Sequence, residues 1–199
     1  MAEKTFKFIH IIYVLLITNI LSIIYLLLGL FSLTLVPVIG TNVSIMNLLI
    51  EDKIDGYTGI TKLFNSFMKE NFKKFKKQTF IFGGYSLILL LAVFLLKRIG
   101  SETATVLNYF FMYMYAMIII YLAYFFLYKS IKKSVISYIN GLALMFYKPK
   151  NLLISVLALI AAVIIGVIRK EILAILCIAV FSYIFVKINK STIEELKVF

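Results

Sequence analysis

The stretch ITKLFNSFMKENFKKFKKQ, residues 60–78, decides how the chain is read. At 100° per residue, Ile60, Phe64, Phe67, Met68, Phe72 and Phe75 fall on one side of a helix, and Lys62, Lys69, Lys73, Lys76 and Lys77 on the other. The pattern predicts a basic amphipathic helix, with Lys62, Lys69, Lys73, Lys76, Lys77, Phe64, Phe67, Phe72 and Phe75 expected to contact a lipid surface or a protein partner. It runs directly into IFGGYSLILLLAVFLL, residues 81–96, which is apolar enough to enter a bilayer. The segment therefore marks where membrane begins and which side is cytoplasm.

Composition agrees with that reading. Of 199 residues, 63% are hydrophobic and 15% charged, with a mean hydropathy of +1.03, which excludes an ordinary soluble domain. The expected class is an all-α, polytopic helical membrane protein: one domain over 1–199, with five or six transmembrane segments and a cytoplasmic basic amphipathic helix. The net charge of +12 is carried by 21 Lys and Arg that gather between the apolar runs, where anionic lipid head groups account for them. Nucleic acid is not expected, because the phenylalanines of 60–78 lie opposite the lysines instead of sharing one platform with them. Cys177 is the only cysteine, so an intrachain disulfide and a cysteine metal site are excluded, and it is read as core packing. MAEKTFKF leads into an apolar run too long for a signal peptide, so the N-terminus is expected to be retained.

Residues 8–50 form an apolar run about twice the length of one span, with Pro37 and Gly40 as the expected breakers. Either the run is one tilted span followed by a short helix, or it folds back as a hairpin. The acidic segment EDKIDGYTG, residues 51–59, is expected to be a solvated turn and lacks calcium-loop spacing. Spans follow at 79–96, 104–128, 151–168 and 172–188, and Gly83 and Gly84 are expected to loosen the start of the first of these. A second surface or shallow helix, 134–147, is expected to carry Val135, Ile139, Leu142, Ala143 and Phe146 on one side, with Pro149 opening the helix after it. The tail, 189–199, reads as a short polar cytoplasmic helix capped by Ser191 or Thr192. A surface helix followed by a span occurs at 60–96 and again at 129–168, a weak sign of internal repetition.

With five spans, the side holding 51–78 and the C-terminus carries 15 basic residues against 6; with a hairpin at the start, the contrast is 17 against 4. Both arrangements place residues 51–78 and the C-terminus in the cytoplasm of a bacterial inner membrane, and the larger contrast favours the hairpin.

Chemistry is sparse. The central parts of the spans hold no ionisable residue, and no HExxH, GxSxG, P-loop or intramembrane carboxylate pair is present, so neither an enzyme nor a cofactor is expected. His10 reads as an interfacial anchor. Asn19, with Thr18 and Ser22, is the deepest polar feature and is expected to hydrogen-bond between helices. The aromatics of 104–128, from Tyr109 to Tyr128, fit an interfacial belt and packing surfaces, with a sugar-binding groove as the minority reading.

Several motifs carry a resemblance. Asn19 lies in the first apolar segment. Phe31, Ser32, Leu33, Pro37, Gly40 and Thr41 form a turn-like set, and Phe64, Phe67, Lys69, Asn71, Phe72 and Lys73 a helical one. In these the chain resembles the YesL family of small bacterial membrane proteins, departing from it in the Val-Pro-Val-Ile-Gly-Thr-Asn turn. The resemblance implies an accessory partner of carbohydrate ABC-transporter membrane subunits and carries no catalytic residues. Two other classes stay open: a substrate-binding subunit like the S component of an energy-coupling-factor importer, although the Ala-x-x-x-Ala docking spacing is missing, and an immunity or stress membrane protein.

Overall fold

The computed structural model describes residues 2–29, 33–54, 59–134, 137–168 and 177–196. Among them the regular structure is helical throughout: α1 (Ala2–Leu28), α2 (Leu35–Ile50), α3 (Ile60–Lys74), α4 (Lys76–Ile99), α5 (Glu102–Lys132), α6 (Tyr138–Tyr147), α7 (Pro149–Ile168) and α8 (Cys177–Glu195). Three helices, α1, α4 and α5, are long and apolar enough to cross a membrane; α6 and α7, bent by 92° at Lys148, add a fourth if taken as one broken span. The protein is all-α, with apolar helices suited to a bilayer.

The helix at the centre is the short α2. It is apolar all round, and Leu35 to Asn47 is buried without interruption. It packs on α3, α5 and α8, with α1 and α4 also against it. α1 and α2 run antiparallel, as Asn42 Nδ2 donates to Ser22 Oγ (2.7 Å) and Thr34 Oγ1 donates to the Tyr25 carbonyl (2.7 Å). The apolar run of 8–50 is therefore a helical hairpin. α1 ends at Leu28 and α2 begins at Leu35, upstream of both expected breakers. Pro37 occupies the third position of α2, in the first turn where its missing N–H has no partner to lose. Gly40 lies inside α2, facing the ring of Phe126.

The amphipathic stretch divides at Phe75 (φ −111°, ψ 32°) and does not continue as one helix to residue 78. Phe75 is buried, with its ring edge-on to Phe125 (5.5 Å) and Phe126 (5.2 Å), so the bend carries this side chain into the core. Lys76 and Lys77 consequently open α4. Gly83 and Gly84 cause no interruption, since α4 is continuous through them.

Local sequence explains the remaining boundaries. Ser101 caps α5 by accepting from the Ala104 N–H (3.2 Å), and Ser137 caps α6 through Asn140 (3.2 Å). Pro149 opens α7. Gly59, at φ +106°, supplies the left-handed turn before α3. In α6, Gly141, Leu144 and Met145 face α5, while Ile139, Leu142, Ala143 and Phe146, which share one side as expected, are exposed. Gly141 lies inward because Tyr121 leaves space for little more than a hydrogen there. The expected tail helix is not separate, because α8 continues to Glu195 and buries Asn189, Thr192 and Ile193. Val135, Asp55, the 169–171 turn and the start of the 172–188 segment lie outside the described residues.

Candidate functional site

The expected contact surface on 60–78 is built by α3 and the first turn of α4. Lys62, Lys69, Lys73, Lys76 and Lys77 are all exposed. The apolar side corrects the expectation that its phenylalanines meet lipid or a partner. Phe64 and Phe75 are inside the fold, Phe64 stacked on Tyr25 with ring centroids 5.7 Å apart. Phe67 is half-buried against the core, and Phe72 alone of the four stays open, at 39% exposure. α1 and α2 provide the groove that this stripe fills. Hydrophobic periodicity is the same for a groove in the protein's own fold and for a bilayer surface.

Two polar residues tie this helix to the bundle. Lys129 of α5 donates to Asn71 Oδ1 (2.8 Å) and Glu70 Oε1 (3.3 Å), and its ammonium sits 4.7 Å from the Phe75 ring centre. Asn71 Nδ2 in turn donates to Thr41 Oγ1 (3.3 Å) on α2. The bend at Phe75 is thus held by a cation, an amide and two aromatic edges.

Asn19 performs the expected interhelical role in a specific form. Its Oδ1 accepts from the N–H groups of Ile178 (2.9 Å) and Ala179 (3.2 Å), so it caps α8 from a helix more than 150 residues earlier in sequence. Further along α8, Asn189 accepts from the Tyr124 hydroxyl (2.6 Å) and donates to Ser155 Oγ (3.1 Å), joining α5, α8 and α7. Asn42, Asn47, Tyr124, Lys129 and Asn189 were not singled out from sequence as sites. A polar residue every few turns of an apolar helix was the available signal, but it does not name the partner.

At the end of α2, Glu51 bonds Lys53 (2.5 Å) and Lys190 (3.0 Å), while Asp52 pairs with Lys7 (2.7 Å). His10 Nε2 lies 3.1 Å from the Ile54 carbonyl. Residues 51–54 are thus a solvated turn, as expected, whose ion pairs also join α1, α2 and α8. The Lys53 ammonium, and after it Lys190, holds the Glu51 carboxyl at about 2, against partial desolvation that acts the other way. No group of three or more His, Cys, Asp or Glu that could hold a metal occurs among the described residues.

Among the described residues, three apolar clefts of more than 200 Å³ accompany the bundle. One of about 600 Å³ lies between α4, α5 and α7, and shares Tyr115, Ile119, Leu159 and Val163 with an inner cleft of about 220 Å³ beside α2 and α8. The third, about 480 Å³, is bounded by α4, α5 and α6. Tyr109, Tyr113 and Tyr115 line the largest one among aliphatic side chains, without the set of hydrogen-bonding groups a sugar would need. No family model, curated protein or solved structure matches the chain.

Proposed function

We propose that the protein is a non-enzymatic, multi-pass component of a bacterial cytoplasmic membrane that acts through its basic surface as an accessory of another membrane protein. The reading has α1 and α2 as a membrane hairpin, six membrane segments in all, and residues 51–78, both termini and the lysine face of α3 on the cytoplasmic side. The observation that carries it is the split character of α3. Ile60, Phe64, Met68 and Phe75 of its apolar stripe are buried inside the fold, which leaves Lys62, Lys69, Lys73, Lys76 and Lys77 exposed on an element held at fixed orientation. A rigid row of ammonium groups beside a bilayer attracts anionic head groups and the acidic loops of a partner. The resemblance to the YesL family directs the choice of partner to the membrane subunits of a carbohydrate ABC transporter.

The test is affinity capture of the full chain from native membranes, with quantitative mass spectrometry of co-purifying proteins. Transporter membrane subunits are expected with the native chain, and are expected to be lost when Lys69, Lys73, Lys76 and Lys77 are changed to Glu. Equal recovery by both forms would defeat the role given to the basic face. Recovery of a bound vitamin-like small molecule in place of a protein would favour the substrate-binding subunit instead.

A further inference from the structure

We infer that the cleft bounded by α4, α5 and α6 holds one acyl chain of an anionic phospholipid whose head group rests on Lys77. Both α4 and α6 pack on α5 but, among the described residues, not on each other, and this leaves a slot of about 480 Å³. That volume is within the roughly 300–1,000 Å³ usual for small-molecule sites. Ile81 and Phe82 form one wall, Met117 and Tyr121 the floor, and Leu142 and Met145 the other wall. These are apolar surfaces, and the thioethers can adapt to a flexible hydrocarbon chain.

Charge placement selects the occupant. Lys77 lies four residues before Ile81 on α4, on the same helical face, and is exposed. Lys76 and Lys73 are exposed beside it, and the nearest acidic residue in the sequence, Glu70, is bonded to Lys129. One turn before the cleft, the same face of α4 thus carries exposed lysines with no acidic partner among the described residues, as a phosphodiester requires. α6 adds the geometry of an interface: it turns 92° from α7 and presents Ile139 outward, with Leu142 and Phe146 half-exposed at the edge of the cleft, as a helix lying along a bilayer surface does. A free anion would use the lysines but leave the apolar slot empty. A diacyl lipid uses both.

This inference rests on the basic face assigned above but needs no partner protein, so the two can fail separately. The full chain, purified in mild detergent, is offered equal amounts of phosphatidylglycerol and phosphatidylcholine with identical acyl chains, and retained lipid is counted by native mass spectrometry. One phosphatidylglycerol per chain is expected to be held in preference. Lys77→Glu is expected to lower that preference by at least about fivefold, the equivalent of about 1 kcal/mol for one lysine at an anionic surface. Leu142→Trp, a change at a half-exposed position that narrows the slot and leaves every lysine in place, is expected to lower the retained lipid. Lys97→Glu with Arg98→Glu, at the far end of α4, is expected to change nothing. Thermal unfolding of each variant in the same detergent identifies any that fails to fold, and Lys77→Gln then replaces Lys77→Glu. Equal retention of the two lipids by the native chain overturns the inference. So does retention unchanged by Leu142→Trp, which would reduce the effect to surface charge.

Discussion

Replacing Gly40 by Ala tests the packing of the central helix at its tightest point. In an unconstrained helix interior this exchange stabilises by about 1 kcal/mol, because alanine loses less backbone entropy. At Gly40 the sign is expected to invert. The added methyl would lie 2.5, 2.6 and 2.8 Å from Cε1, Cδ1 and Cζ of Phe126, where ordinary carbon contacts are about 3.5–4.0 Å. The ring has little room to retreat, being fully buried and held between Phe75 (5.2 Å) and Phe125 (5.4 Å). α2 and α5 must then separate by about 1 Å, and overpacking of this kind costs about 1–3 kcal/mol. Contacts this short belong at the upper end of that range, about 2–3 kcal/mol, so after subtracting the propensity gain a net loss of about 1–2 kcal/mol is expected, or about 2–8 °C in Tm for a chain of this size. The assay is thermal unfolding of the purified protein in detergent. Gly84→Ala is the control, since a methyl at Gly84 meets nothing within 4 Å, and it should raise Tm by a few degrees. Phe126→Leu should absorb most of the Gly40→Ala penalty, a coupling of about 1 kcal/mol between touching residues. If Gly40→Ala were as stable as the native chain, or equally damaging with Leu at 126, the close approach of α2 and α5 would be refuted.

Three further outcomes follow from the geometry. Phe64→Ala should destabilise by about 3–5 kcal/mol and Phe72→Ala by less than about 1 kcal/mol, measured by the same unfolding assay; equal effects would mean that both rings meet the same medium. Asn19→Ala removes the cap of α8 and should cost about 1–2 kcal/mol, with faster amide hydrogen exchange at Ile178 and Ala179 as the specific readout. Glu51, held at about 2 against an ordinary value near 4.5, binds its proton more weakly in the folded chain than in the unfolded one. Its contribution is therefore complete above pH 4.5 and is lost as pH falls from there through about 2. With solvent screening it is on the order of 1–2 kcal/mol, and Glu51→Gln should flatten the acid limb of a stability profile across that window.

What the sequence by itself determined was the composition of each element. Hydropathy identified the apolar helices, and 3.6-residue periodicity placed Lys62 to Lys77 opposite Phe64 to Phe75, because both depend only on neighbours along one helix. The position of Pro149 at a helix start and the interhelical bonding of Asn19 were legible for similar local reasons. Only the tertiary structure decided which medium each face meets. Phe64 entered the fold because α1 and α2 present a groove to it, and Phe75 because Phe125 and Phe126 of α5 receive its ring, while Ile139, Leu142 and Phe146 turn outward because the other side of α6 packs on Tyr121. Gly40 reads as a helix breaker from its own backbone freedom, yet it is a helical contact point because a ring from residue 126 lies against it. The basic stretch 60–78 shows the division most plainly. Its lysines were assigned to the surface from periodicity alone, while the destination of its phenylalanines depended on helices that pack there only after the chain has folded.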